Sequence, residues 1–174
     1  MSESPAEQDG FANFFAEELP GLLVFLLRQG AGREDAWDAV QESFIRAYLN
    51  WQQIDNPRTW IRTTAVRIYR RKVTRDREVP VDMREERHPP PLFTELDQEL
   101  DHDEECRLVL GLLRGLPVRQ REVMAWSYDG YEPHEIAEFI GISDDAVRAS
   151  LYQARRRLRR HLGERGNRRG TRHV

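Results

Sequence analysis

Residues 131–162 of the chain have the sequence YEPHEIAEFIGISDDAVRASLYQARRRLRRHL, which predicts two short helices joined by a tight turn. The break between them is Gly141-Ile142-Ser143. Glycine accepts the left-handed conformation that ends a helix, and serine is a good N-cap for the next one. Because arginines follow in the second helix, the stretch predicts a helix-turn-helix with a basic second helix. That geometry places side chains in a DNA major groove.

Apolar and basic residues separate onto two faces of the second predicted helix. The apolar stripe consists of Val147, Leu151, Ala154, Leu158 and Leu162. The opposite face carries arginine and glutamine, which can contact base edges, together with further arginines suited to phosphates. This one-sided basicity favours DNA binding over the alternative, an ordinary helical hairpin with a charged face in solvent.

The net charge of the whole chain, −3, hides a strong segregation of charge along the sequence. Residues 1–75 carry ten acidic and ten basic side chains. Residues 76–105 carry twelve acidic and three basic ones, and residues 106–174 carry eight acidic and fourteen basic ones. A basic C-terminal module therefore follows an acidic segment, and this asymmetry indicates a nucleic-acid partner for the C-terminal part.

The cysteine content and the apolar runs indicate a reducing, cytoplasmic setting. Cys106 is the single cysteine, which excludes an internal disulfide. We expect no apolar run to approach the length of a membrane span. No basic segment precedes the first apolar stretch, as it would in a secretory signal. The sequence therefore predicts a cytoplasmic protein without membrane insertion.

Helical patterns fill the N-terminal part of the chain, and no alternating β-branched run occurs in the sequence. An apolar segment over residues 11–27 is predicted to be interrupted by Pro20. A second helix begins near Arg33. A third begins at Asn56-Pro57, where an N-cap residue precedes a proline at the first helical position. The chain is therefore predicted to be all-α.

Composition divides the chain into two small helical domains, over residues 1–75 and 106–162. Between them, residues 76–105 are acidic and proline-rich with few large apolar side chains, which is typical of a flexible linker. A short helix near Leu92–Leu100 is compatible with this composition. Residues 163–174 are predicted to form a basic, disordered tail.

Two separated motifs resemble those of bacterial RNA polymerase sigma factors. Residues 35–48, DAWDAVQESFIRAY, resemble the EDxxDxVQExFxRAW stretch of that family. Residues 113–123, LRGLPVRQREV, resemble its LxxLPxRQREV stretch, directly before the helix-turn-helix. The order of the motifs across an acidic linker is similar to that of the two-domain, extracytoplasmic-function group. The resemblance covers about residues 10–75 and 106–162.

The resemblance implies an alternative sigma factor with a region 2-like domain and a region 4-like helix-turn-helix domain. Such a protein binds the β′ and β subunits of core RNA polymerase, directs the enzyme to promoter DNA at the −35 and −10 elements, and helps to open the DNA. The resemblance implies neither an enzyme activity of the chain itself nor a cofactor. An anti-sigma factor is a further implied partner.

In the family, the DxVQE helix contacts a coiled coil of the large β′ subunit. The residues that this resemblance assigns to the core polymerase are Asp38, Gln41, Glu42 and Phe44. Helical spacing places the three polar residues on one side, where they can meet arginines of a partner helix. The alternative is a solvated face above a core stripe, with Phe44 in the core.

By the same resemblance, the third helix and the loop before it contact the −10 element. Capturing unstacked bases requires aromatic or polar pockets beside cations that hold the backbone. The residues assigned to this task are Asn56, Arg58, Thr59, Trp60, Arg67 and Arg71. Arg62, Arg70 and Lys72 add cations along the helix, and a core position is the alternative for Trp60. Arg67 and Arg71 replace the Asn and Asp common in the family, which predicts an unusual −10 preference.

The second helix of the helix-turn-helix is assigned to the −35 element. Its candidate DNA contacts are Arg148, Ser150, Tyr152, Gln153, Arg155 and Arg156. Arg156, with the later Arg157, Arg159 and Arg160, is expected to hold phosphates rather than bases. Ser150 and Gln153 stand where family members often have arginine. This departure predicts weaker or altered −35 recognition.

Other functions have little support in the sequence. His102 and Cys106 have a zinc-like spacing, but no second cysteine follows, and a zinc site needs about four ligands. No nucleophile–base–acid set and no phosphate-binding loop occur, so no metal, cofactor or enzyme activity is predicted. Two alternatives stay open. One is a helix-turn-helix regulator that does not bind core polymerase, which leaves residues 38–44 unexplained, and the other is a degenerate sigma-like protein-binding module.

Overall fold

The computed structural model describes residues 5–78 and 91–170. Within these ranges it consists of helices and a short 3-10 turn at Trp51–Gln53, without a strand. The helices are α1 (Pro5–Gln29), α2 (Arg33–Leu49), α3 (Pro57–Glu78), α4 (Pro91–His102), α5 (Glu104–Arg114), α6 (Val118–Tyr128), α7 (Pro133–Ile140) and α8 (Asp144–Gly170). The chain divides into two compact units, with the main boundary between Glu99 and Leu100. The prediction of an all-α protein with two small helical domains is therefore confirmed.

Helix α1 runs without a break through Pro20, where the sequence predicted an interruption. A proline inside a helix removes one backbone hydrogen bond and costs about 3 kcal/mol. Packing outweighs this loss, because Leu22, Leu23 and Leu26 are fully buried in the turns that follow. Full burial of one such side chain contributes roughly 1.5–3 kcal/mol. The predicted break was therefore wrong, and the helix ends before Gly30, which has left-handed backbone at φ 98°.

The same helix corrects our expectation about apolar runs. By length and composition alone, Gly10–Gln29 is able to cross a membrane, so the expectation that no segment approaches this length was wrong. A helix that lies in the core of a folded protein can be equally long and apolar. The apolar side chains of α1 supply the core of the first unit, where Leu22, Leu23, Phe25 and Leu26 are fully buried.

Helices α2 and α3 pack against each other and complete this core. The buried residues of their facing stripes are Trp37, Val40, Ala47, Ile61 and Ala65. The start of α3 follows the prediction, because Pro57 is its first residue and the Thr59 N–H donates to the Asn56 side-chain oxygen at 3.2 Å. Local capping and long-range packing therefore agree in this part of the chain.

The second unit contains the predicted helix-turn-helix. Helix α7 ends at Gly141, which has left-handed backbone at φ 70°. Ser143 caps α8 by accepting a hydrogen bond from the Ala146 N–H at 3.2 Å. Asp144 and Asp145 lie in the first turn of α8, where the helix dipole favours negative charge. The turn and the cap therefore form as the sequence predicts.

Aromatic and aliphatic side chains of α5 to α8 form the core of the second unit. Trp126 of α6 is 1% exposed, and its ring lies 5.2 Å from that of Tyr131 and 4.8 Å from that of Phe139, measured between centroids. The other large side chains that are fully buried here are Leu113, Val123, Ile136 and Val147. This core holds one face of α8 and leaves the rest of that helix accessible.

The linker and the tail differ in part from the prediction. Helix α4 lies inside the predicted linker and contains the short helix expected at Leu92–Leu100. Residues 79–90 lie outside the described residues, so the flexibility of the linker stays a prediction. Helix α8 continues to Gly170, so residues 163–170 are helical where a disordered tail was predicted. Three of these eight residues are glycine, the poorest helix former after proline, so local propensity does not account for this part of the helix.

Candidate functional site

Helix α8 buries one face and leaves its polar residues accessible. Val147, Leu151 and Ala154 are at most 4% exposed. Five of the six residues assigned to the −35 element are exposed, and Ser150 is half-buried. The exposed ones are Arg148, Tyr152, Gln153, Arg155 and Arg156. All six therefore lie outside the apolar stripe that the sequence predicted.

Three of these side chains share one flank of α8. Arg148, Tyr152 and Arg155 line an open groove of about 580 Å³, together with Arg159 one turn later. The facing residues come from the end of α6, the segment after it and the first residue of α7: Ser127, Gly130, Tyr131, Glu132 and Pro133. Guanidinium groups and a phenol in one groove offer several hydrogen-bond donors to phosphates or to base acceptors. The other three predicted −35 residues do not line this groove.

Two of the candidate residues are held by hydrogen bonds to side chains that sequence reasoning did not assign. The Arg148 Nε donates to the Asp144 carboxylate at 3.0 Å. The Gln153 Oε1 accepts from the Nε2 of Gln120, on α6, at 3.0 Å. Asp144 precedes Arg148 by four residues, a spacing from which this pair was predictable. Gln120 is 33 residues from Gln153, so no local pattern indicates their contact.

A second groove, of about 510 Å³, lies in the first unit and contains three of the six −10 candidates. Trp60, Arg67 and Arg71 line it from α3, together with Thr64. The other lining residues come from α2 and the segment after it: Arg46, Asn50, Gln53 and Ile54. A ring beside guanidinium groups suits an unstacked base and its phosphates. Sequence reasoning missed the residues before α3, because their position depends on how α2 packs against α3.

The remaining −10 candidates do not line that groove. Asn56 accepts the Thr59 N–H at 3.2 Å, so these two residues form the N-terminal cap of α3. The Arg58 Nε lies 3.7 Å from a carboxylate oxygen of Glu18 in α1. In the structure, all three residues therefore hold the start of α3 in place.

Two cations that the sequence offered for DNA contact form ion pairs inside the first unit. The Arg62 side chain is 2% exposed and donates to Glu18 at 2.6 Å. Lys72 pairs with Asp35, at 2.8 Å, and with Asp38. Burial lowers the pKa of Lys72, but the hydrogen bonds and charges of the two aspartates outweigh it and hold this pKa above its ordinary value. The expectation that Arg62 supplies a DNA contact was therefore wrong, whereas the one for Lys72, which stays partly accessible, stays a prediction.

The polar residues assigned to core polymerase differ in how accessible they are on α2. Glu42 is exposed and pairs with Arg46. Gln41 is half-buried, and Asp38 is partly accessible while it pairs with Lys72. The three polar candidates therefore reach the surface, and two of them are engaged in ion pairs.

Phe44 lies beneath that surface. It is 4% exposed, and its ring packs against those of Phe11, Phe14 and Phe15, with centroid distances of 6.4, 6.1 and 4.7 Å. A side chain in such a cluster supports the helix from below. The assignment of Phe44 to a direct polymerase contact is therefore corrected to a core position.

Two exposed apolar residues of α2 were missed by sequence reasoning. Ile45 is 61% exposed and Leu49 is 72% exposed. Together with Gln41 they follow a four-residue spacing, so all three share one face of the helix. Large apolar side chains on an exposed helix face are typical of a protein interface. The signal was present in the sequence, because both residues lie outside the apolar stripe that packs into the core.

The structure gives no support to a metal site near His102 and Cys106. Among the described residues, no group of three His, Cys, Asp or Glu side chains is placed to hold a metal ion. The surfaces that remain as candidates are therefore the two grooves, the accessible face of α8 and the outer face of α2.

Known families match both units in the predicted order. Sigma-70 region 2 matches residues 14–78, and sigma-70 region 4 matches residues 106–158. The RNA polymerase sigma factor CarQ of Myxococcus xanthus is 30% identical over 162 residues, which cover 90% of this chain and 91% of CarQ. The chain belongs to the sigma-70 family. Within that family it is an alternative sigma factor of the extracytoplasmic-function type, with a DNA-binding helix-turn-helix in region 4.

Other proteins resemble this sigma factor over much of its length. The probable RNA polymerase sigma factor RfaY of Xanthomonas campestris pv. campestris is 29% identical over 153 residues, which are 83% of this chain but only 37% of RfaY. CnrH, solved in complex with the cytosolic domain of CnrY, shares the fold with a TM-score of 0.61, 22% identity and coverage of 90% of both chains. The sigma factor RpoE, solved with the anti-sigma factor NepR from Bartonella quintana, has a TM-score of 0.63 at 21% identity and covers 88% of this chain and 97% of its own.

Proposed function

We propose that this sigma factor binds core RNA polymerase through the outer face of α2, contacts the −35 element with α8 and holds the −10 element in the groove beside α3. It acts in the cytoplasm, and RNA synthesis itself is catalysed by the polymerase. The observation that carries the proposal is the division of α8 into two faces. Its apolar stripe is buried, while Arg148, Tyr152, Gln153 and Arg155 are accessible.

The accessible face of α8 supplies the donors that sequence-specific DNA contact requires. The major groove of B-DNA admits a helix, and guanine presents two acceptors there that one arginine can bind. Arg148 lies in the second turn of α8, and its hydrogen bond to Asp144 orients the guanidinium. Arg160 follows about three turns later, where a phosphate contact adds affinity without sequence preference.

The outer face of α2 has the composition of a protein interface. Ile45 and Leu49 offer apolar area, and Gln41 and Glu42 surround it with polar groups. Interfaces commonly have this apolar centre and polar rim, and the buried anchors provide most of the binding energy. We assign these four residues to the polymerase contact, with Asp38 at the edge of the surface. A regulator that acts without core polymerase leaves this apolar face unexplained.

The groove beside α3 suits a single strand of DNA. Trp60 provides an aromatic ring for stacking, and Arg67 and Arg71 provide donors for base edges or phosphates. Arg46 of α2 lines the same groove and adds a third guanidinium. The cluster of arginines supports a −10 preference that differs from the one common in the family.

An anti-sigma factor is the proposed regulatory partner. The support is the similarity of fold to RpoE, which was solved with the anti-sigma factor NepR. Affinity purification of the full-length sigma factor from its own cells tests this proposal. A partner that releases the sigma factor when core polymerase is added in excess is the expected result. Recovery of core polymerase alone would argue against such a partner.

Transcription with purified components tests the proposed function as a whole. Core polymerase and the full-length sigma factor are incubated with genomic DNA fragments, and RNA start sites are mapped. Discrete start sites with shared −35 and −10 sequences are expected only when both proteins are present. The paired substitution Ile45→Asp and Leu49→Asp should abolish them. A degenerate sigma-like module would bind core polymerase without producing start sites, and a conventional regulator would bind DNA without binding core polymerase.

A further inference from the structure

We infer that Gln120 is a positioning residue, which fixes the side-chain amide of Gln153 and thereby selects the base that Gln153 contacts in the −35 element. The inference rests on the proposed −35 role of α8. Gln120 is 7% exposed on α6, whereas Gln153 is exposed on α8. The Nε2 of Gln120 donates to the Oε1 of Gln153 at 3.0 Å, so a buried amide holds an accessible one.

The direction of this hydrogen bond decides which group Gln153 presents outward. An unconstrained glutamine offers one donor group and one acceptor, and it binds adenine through both. Here the Oε1 of Gln153 is already engaged by Gln120, which leaves its Nε2 as the outward group. An outward donor favours guanine or thymine, whose major-groove edges carry acceptors, over cytosine, whose edge carries only a donor.

The environment of Gln120 supports a role beyond packing. Its Oε1 is buried and has no hydrogen-bond partner among the described residues. An unpaired buried oxygen is unfavourable compared with an apolar side chain of similar size, such as leucine. Within the described part of the chain, the bond that the Gln120 side chain does form is the one to Gln153. Local violations of packing rules of this kind are expected where a residue serves function.

A −35 promoter library distinguishes positioning from packing. Full-length sigma factor and core polymerase transcribe a library randomised at the −35 element, with the wild type, Gln120→Glu and Gln120→Leu. The wild type should prefer guanine or thymine over cytosine at one position by about fivefold, as one net hydrogen bond allows. In Gln120→Glu, the new carboxylate accepts a hydrogen bond from the Nε2 of Gln153, so the Oε1 of Gln153 faces outward instead. The base preference should then reverse toward cytosine or adenine. Gln120→Leu removes the constraint, so the preference for guanine or thymine over cytosine should be lost, and adenine, which a free amide binds through both groups, should be favoured.

The same substitutions in a Gln153→Ala background provide the matched control, because neither should then alter base preference. Circular dichroism checks folding, and Gln120→Leu carries the test if a buried carboxylate prevents folding of Gln120→Glu. Gln120 variants that lower the use of all promoters equally would overturn the inference, as would effects that persist without Gln153. If Gln153→Ala changes the base preference but the Gln120 variants do not, this inference is overturned while the −35 role of Gln153 stands. If Gln153→Ala leaves the base preference unchanged, the −35 role of Gln153 is overturned as well.

Discussion

Arg62 of α3 and Glu18 of α1 form a nearly buried ion pair, with 2.6 Å between the Arg62 Nη1 and the Glu18 Oε2. The guanidinium of Arg62 also lies over the ring of Phe25, 6.0 Å from its centroid. Only 2% of the Arg62 side chain is exposed. This arginine therefore fastens α1 to α3 within the fold of the first unit, although its position in the sequence is that of a cation beside the −10 candidates.

Removal of Arg62 is predicted to destabilise the first unit strongly. Arg62→Met should lower the free energy of unfolding by about 3 kcal/mol, because it leaves the Glu18 carboxylate partly buried without its cation. Urea unfolding followed by circular dichroism measures the change. Arg58→Met is the matched control, because Arg58 is more than half exposed and lies 3.7 Å from the same carboxylate, so its loss should cost less than about 1 kcal/mol. Equal losses in the two variants would contradict the assignment.

The raised pKa of Lys72 predicts a loss of stability in alkaline solution. Because its pKa is higher in the folded protein than the ordinary value of 10.5, the contribution of Lys72 is fully present below that value. The contribution is lost as the pH rises through the folded-state pKa. The difference in unfolding free energy between the wild type and Lys72→Met should be constant near neutral pH and shrink above pH 10.5. Other groups are common to the two proteins and cancel in this difference, so a difference that does not shrink would contradict the role of the two aspartates.

Charge placed on the apolar part of α2 is predicted to weaken polymerase binding. The paired substitution Ile45→Asp and Leu49→Asp should reduce affinity for core polymerase by at least about 30-fold, as expected for buried interface anchors. Helical content should not change, since both side chains are exposed. Competition with another sigma factor for core polymerase provides the measurement. Glu42→Arg should also weaken binding, whereas Glu17→Arg, an exposed charge reversal on α1, is the control and should not.

Limited proteolysis tests the predicted linker. The acidic, proline-rich composition around residues 79–90 predicts that trypsin cuts first after Arg84 or Arg87. Two helical fragments should then resist further digestion, and mass spectrometry identifies their ends. A first cut inside the arginine-rich segment of α8 would contradict this prediction, because that segment should be protected by its helix.

Features that depend on neighbouring residues were predictable from the sequence. The helix-turn-helix required a glycine that accepts left-handed backbone at Gly141 and a cap at Ser143, and both are local. The start of α3 followed from Asn56 and Pro57 in the same way. The buried and accessible faces of α8 followed from its helical period. These elements needed no knowledge of the tertiary structure.

Features that depend on residues far apart in the sequence were not predictable. Glu18 lies 44 residues before Arg62, so helix spacing alone left that arginine among the DNA contacts. The continuity of α1 through Pro20 required the packing of its leucines, which a local rule for proline does not include. Phe44 was assigned by resemblance to a surface motif, and only the cluster of neighbouring rings shows that it belongs to the core.

Recognition of the −35 element by α8 is tested most directly by transcription from a promoter library randomised at that element, with full-length sigma factor and core polymerase at several salt concentrations. Arg148→Ala is predicted to change which −35 sequences are used, by about 1–3 kcal/mol of discrimination at one base pair. Arg160→Ala is predicted to lower the use of all promoters alike and to reduce the salt dependence by about one counterion. If Arg148→Ala instead lowers activity uniformly and leaves the sequence preference unchanged, α8 does not contact the −35 bases as proposed.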